Sequence, residues 1–97
     1  MKLSEYEAAA ERTANNELSV RDRLLDSAMG LAEEAGEVLA LVRKHSFQSR
    51  DLPRERLEEE LGDTLWCLTM TARCAGMTLE QVAAANITKL KARHPHT

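Results

Sequence analysis

Two short acidic motifs carry the chemistry this chain could perform: Glu33-Glu34-Ala35-Gly36-Glu37 and Glu60-Leu61-Gly62-Asp63. Glu34 and Glu37 lie three residues apart, as do Glu60 and Asp63. On a helix that spacing puts both carboxylates of a pair on one face, about 5–6 Å apart at Cβ. Like charges this close repel and raise each other's pKa. No Lys or Arg stands beside them at helical spacing within the motifs. A divalent cation would offset the repulsion, and a set of hard oxygen ligands favours Mg²⁺, or Mn²⁺, over zinc. Any single acidic pair in a Glu-rich helical protein reads as a solvated surface, as Glu58 and Glu59 do. Two pairs at matching height and flank point instead to a metal site held by Glu34, Glu37, Glu60 and Asp63.

The elements that must position these acids are helices. Ser4-Glu5-Tyr6-Glu7 reads as a capping box for a first helix ending near Thr13–Asn16. Ser19 caps a second, with Asp22 at its third position, running to about His45. Ser46–Pro53 reads as a loop, with Pro53 suited to the first turn of a third helix from about Arg54 to Ala75. Gly76 supplies the C-terminal turn of that helix. Thr78-Leu79-Glu80-Gln81 caps a fourth, reaching about Ala92, and Pro95 stops further helix. No segment shows the alternation of a strand. The expected fold is a single all-α domain over residues 1–97, with four helices and a central antiparallel hairpin.

Apolar residues recur on the second helix at Leu24, Ala28, Leu31, Ala35, Val38 and Val42, widened by Leu25, Ala32 and Leu39. The third repeats the pattern with Leu57, Leu61, Leu65, Leu68, Ala72 and Ala75. These stripes predict the packing face of the hairpin. The acids then fall on equal-sense flanks and within a turn of the same level, continued by Gly30 and Leu41 on one helix and by Cys67, Met70 and Cys74 on the other. Gly36 and Gly62 each cost about 1 kcal/mol relative to Ala inside a helix, so a close approach by a neighbouring helix or ligand is expected there. Trp66 falls opposite the third helix's stripe, which suggests an oligomer contact.

Composition bounds the rest. A chain of 97 residues with 43% hydrophobic and 30% charged residues fits one soluble globular domain. A domain this small often gains stability by oligomerising. A net charge of −3 argues against a nucleic-acid duplex as partner. No apolar run approaches the ~20 residues of a membrane span, and the N-terminus lacks a signal-peptide layout, so a cytoplasmic location is expected. Cys67 and Cys74 lie two helical turns apart, about 10 Å, too far for a mutual disulfide. His45, His94 and His96 are given no catalytic role.

The motifs together resemble those of the MazG-like all-α nucleotide pyrophosphohydrolases. Gly30-Leu31-Ala32-Glu33-Glu34-Ala35-Gly36-Glu37-Val38 is similar to the first motif region of that family, and Glu59-Glu60-Leu61-Gly62-Asp63-Thr64-Leu65 to the second. The tail Asn86-Ile87-Thr88-Lys89-Leu90-Lys91-Ala92-Arg93-His94-Pro95 resembles its closing Asn-x-x-Lys-Leu-x-x-Arg-x-Pro element. The likeness covers roughly residues 20–95. It implies Mg²⁺-dependent hydrolysis of nucleoside triphosphates to the monophosphate and pyrophosphate, with Glu34, Glu37, Glu60 and Asp63 on the metal. It further implies that Glu33 aligns or deprotonates the attacking water, that Lys89 and Arg93 contact phosphates, and that Asn86 lies near substrate or metal. It also implies a homodimer or homotetramer whose helices complete the bundle and pocket. The chain lacks the extra helices that shape base recognition in some relatives, and Tyr6, Phe47 and Trp66 are its only aromatics for base stacking. The rival readings are a non-catalytic helical interaction module and a nucleotide-binding regulator.

Overall fold

The computed structural model describes residues 1–48 and 51–96. Among them are four helices and no strand: α1 (Leu3–Glu11), α2 (Val20–Phe47), α3 (Arg54–Cys74) and α4 (Leu79–Arg93). Among the described residues, no helix is long and apolar enough to cross a membrane.

Local chemistry sets most of the boundaries. Ser19 Oγ accepts from the Asp22 backbone N–H at 3.1 Å, fixing the start of α2. Thr78 and Gln81 bond reciprocally at 2.8 and 3.1 Å, a complete capping box for α4. At the end of α3, Gly76 takes a φ of +78°, so its N–H reaches Arg73 O and that of Met77 reaches Ala72 O. This paired closure needs a left-handed residue, which glycine adopts without a Cβ clash. Three boundaries depart from expectation. α1 starts at Leu3, so Ser4 lies inside it, and Glu5 Oε1 instead accepts from Lys2 N at 3.4 Å. α1 also ends early, at Glu11, where the Thr13 hydroxyl donates to Ala10 O. α2 runs on through Ser46 and Phe47, and residues 49 and 50 of the expected loop lie outside the described residues.

α2 packs chiefly on α3, and the residues that meet run in opposite chain order. The hydroxyls of Thr71 and Ser27 lie 3.0 Å apart, Gly30 faces Cys67, and Glu34 meets Glu60 and Asp63. The seam is therefore not the leucine stripe. It is rotated onto the flank that holds the acids, where small side chains allow the helices to come close. Leu24, Leu31 and Val38 are half-buried at its edge, whereas Ala28, Ala35, Val42, Leu61, Leu65 and Leu68 are exposed, as are Leu25 and Leu39. Leu25 is 60% and Leu61 50% exposed, so part of the expected packing face lies open in the single chain, while Leu57 is half-buried and Ala72 buried. Gly36 and Gly62 have nothing within 4 Å of a built Cβ; the close approach is at Gly30 instead.

α1 lies on α3 and α4. Trp66 uses its indole N–H inside the chain, donating to Thr13 Oγ1 at 2.8 Å beyond the end of α1. Cys67 is buried and Cys74 half-buried, both as free thiols. α4 packs on α1 and α3.

Candidate metal centre

Glu34 of α2 and Glu60 and Asp63 of α3 each offer one carboxylate oxygen, and the three oxygens lie within 4.8 Å of one another. The antiparallel order of the pairs brings them together, because Glu34 sits one helical turn beyond Gly30 and Glu60 about two turns before Cys67. Glu34 and Glu60 are half-buried and Asp63 is exposed, so the cluster opens to solvent on one side.

The electrostatics follow from this crowding. Glu34 is pushed up to about 7, first by its hydrogen bond with Glu60, then by burial, then by the charges of Glu60, Asp63 and Glu33. Near neutral pH a proton held on Glu34 relieves part of the repulsion. A divalent cation relieves more of it, since it attracts all three carboxylates at once. The donors are all oxygen, come from two rigid helices and already converge, which fits a hard ion such as Mg²⁺.

The surroundings hold this geometry. A Cβ at Gly30 would stand 2.9 Å from Cys67 Sγ, so glycine is what lets α2 and α3 close beside the acids. Burial pushes the Cys67 thiol up, and the charges of Glu34 and Asp63 add to the shift, so it stays a neutral wall of the site. Within α3, the hydroxyls of Thr64, Thr69 and Thr71 donate to the carbonyls four residues back, at 2.7 Å each. From α1, Tyr6 is hydrogen-bonded to Thr69; burial raises its pKa, the Thr69 bond opposes that, and the charge of Asp63 adds to the rise.

The remaining candidates are distributed unevenly. Glu37, expected as a fourth ligand, is exposed and outside the group of converging oxygens. Glu33 is exposed, yet close enough for its charge to act on Glu34. Asn86, Lys89 and Arg93 are exposed along α4, whose backbone lies beside α1 and α3, and none of the three is among the groups that act on Glu34. Sequence reasoning missed a second charged cluster. Glu11 Oε1 accepts from Arg23 and its Oε2 from Arg73, each at 3.0 Å, while Glu7 lies 3.7 Å from Arg73. The available signal was Glu7 and Glu11 four apart on a short alanine-rich helix, hence on one face.

Residues 25–97 match the family model of the MazG nucleotide pyrophosphohydrolase domain, a span that holds every candidate site residue. No curated protein and no solved structure matches the chain.

Proposed function

Because the chain belongs to the MazG nucleotide pyrophosphohydrolase family, we propose that it hydrolyses nucleoside or deoxynucleoside triphosphates to the monophosphate and pyrophosphate, with Mg²⁺ held by Glu34, Glu60 and Asp63. The observation that carries this reading is the convergence of those three carboxylates within 4.8 Å. Glu37, one turn beyond Glu34, completes the set from the exposed edge.

Bound there, Mg²⁺ supplies the positive charge that phosphate oxygens and an attacking water require. The chain's own groups do the rest. Glu33 orients the water and takes its proton as the new bond to the α-phosphorus forms and the α–β bridging bond breaks. Lys89 and Arg93 neutralise the departing pyrophosphate. Asn86 shares their helical face, since positions three and four apart are neighbours there, and it contacts the substrate. The exposed Leu25, Met29, Leu39, Leu61 and Leu65 support a homodimer or homotetramer in which another copy covers the open face and completes the bundle. In this reading the protein works in the cytoplasm, clearing unwanted nucleotides from the pool.

The test is a panel of canonical and modified nucleoside triphosphates, incubated with and without Mg²⁺ and resolved by chromatography. Monophosphate and pyrophosphate appearing only with the metal is the expected result. Diphosphate with orthophosphate would overturn the cleavage site. No turnover on any nucleotide would favour a non-catalytic module.

A further inference from the structure

Glu7 is a charged side chain that the proposed hydrolysis does not use, and it is only 4% exposed. Its Oε1 accepts from the backbone N–H of Leu79, the first residue of α4, at 3.1 Å. The same oxygen lies 3.7 Å from Nη1 of Arg73, in the last turn of α3. Arg73 is held in turn by Glu11, whose Oε2 accepts from its Nε at 3.0 Å. One buried carboxylate on α1 therefore ties the end of α3 to the start of α4.

Little else holds α4. Leu79 is buried and Val82 half-buried, but every residue from Ala83 to His96 is exposed. At about 1.5 Å per residue, Lys89 stands ~15 Å and Arg93 ~21 Å beyond Leu79. A tilt of about 10° at the root moves Arg93 by roughly 4 Å over that length. Misplacement of about 1 Å in a reacting group can lower a rate by about 100-fold.

We propose that Glu7 is a positioning residue: its buried carboxylate fixes the root of α4 and so sets where Lys89 and Arg93 meet the triphosphate. The inference rests on the phosphate-binding role proposed above for α4.

The test uses the intact protein with the triphosphate it turns over best. Glu7→Ala should raise KM about tenfold or more, while Mn²⁺ affinity, followed by electron paramagnetic resonance, stays unchanged. Glu7→Gln, which retains an oxygen to accept from Leu79 N–H, should recover most of the loss. In a background lacking both groups, Lys89→Ala with Arg93→Ala, Glu7→Ala should add little, because the groups it positions are gone. Should Glu7→Ala not fold, Glu7→Asp keeps the charge but withdraws it by one methylene, and KM should still rise. An unchanged KM in the folded Glu7→Ala or Glu7→Asp variant would overturn the proposal, as would an effect that persists in full once Lys89 and Arg93 are both removed or a parallel fall in Mn²⁺ affinity. Lys89→Ala alone leaving KM unchanged would overturn the reading of α4 itself, and the inference with it.

Discussion

Gly30 and Cys67 meet where a side chain on α2 has no room, with a Cβ at Gly30 falling 2.9 Å from Cys67 Sγ. That contact sets how closely the two acid-bearing helices approach. Glu34 lies one turn further along α2 and Asp63 one turn back along α3. Gly30→Ala gains about 1 kcal/mol of helix propensity, but its methyl must displace the buried Cys67 Sγ, and overpacking costs typically about 1–3 kcal/mol. The expected balance is a lower Tm and weaker Mg²⁺ binding. In a Cys67→Ala background the clash is removed, and Gly30→Ala should then leave Tm level or raise it. Equal losses in both backgrounds would show that the Cys67 contact is not the cause.

The three converging carboxylates separate from Glu37 in what they should do to the metal-free protein. Asp63→Ala removes a charge that raises Glu34, so Tm without Mg²⁺ should hold or rise. The same change should lower turnover by on the order of 100-fold or more, the scale of losing one charge-stabilising group at an active site, and should reduce the Tm gain on adding Mg²⁺. Glu37→Ala should also depress turnover but leave the pKa of Glu34 near 7, since Glu37 is not among the groups that raise it. Thermal melts with EDTA and with Mg²⁺, run beside the activity assay, distinguish the two.

How much of this was legible beforehand depends on the length scale of each cue. The caps at Ser19 and Thr78 and the turn at Gly76 are set by residues within four positions of one another, and they appear as expected. The acidic flanks were legible too, because three-residue spacing on a regular helix fixes which side chains share a face. The choice of seam was not. A stripe of leucines reports that a face is covered by something, not that the neighbouring helix of the same chain covers it. Leu61 and Leu65 therefore stay open while Ser27, Gly30, Cys67 and Thr71 form the contact. Glu7 was hidden for a related reason. Its partners, Arg73 and the Leu79 N–H, lie more than sixty residues away, at a distance where local spacing carries no information.

Glu34 gives the metal-free protein an alkaline weakness. Its folded pKa, about 7, lies above the ordinary 4.5, so the fold binds its proton more tightly than the unfolded chain does. The stabilisation is complete below about pH 4.5 and is lost as pH rises through 7. In EDTA, Tm should fall between pH 6 and pH 8, and Glu34→Gln should remove that fall. Mg²⁺ favours the deprotonated cluster, so its Tm gain should be larger at pH 8 than at pH 6. A metal-free Tm that does not change across this window would mean that the fold does not hold a proton on Glu34.

Glu11 should give the opposite slope at the acid end. Burial raises its pKa, but hydrogen bonds and charges from Arg23 and Arg73 outweigh that and hold the carboxylate below the ordinary 4.5. The folded state therefore binds this proton less tightly than the unfolded chain. The stabilisation is present above about pH 4.5 and is lost as pH falls through the depressed folded value. Because Glu11 joins α1 to the start of α2 and the end of α3, acid should loosen α1 while leaving the α2–α3 contact in place. Glu11→Gln should lower Tm at pH 7 and flatten its fall below pH 4.5. Hydrogen exchange locates the change: amides of α1 should open first on acidification, before those around Ser27 and Thr71. Simultaneous exchange in α1 and α3 would show instead that the chain unfolds as one unit, with no separate role for the Glu11 pairs.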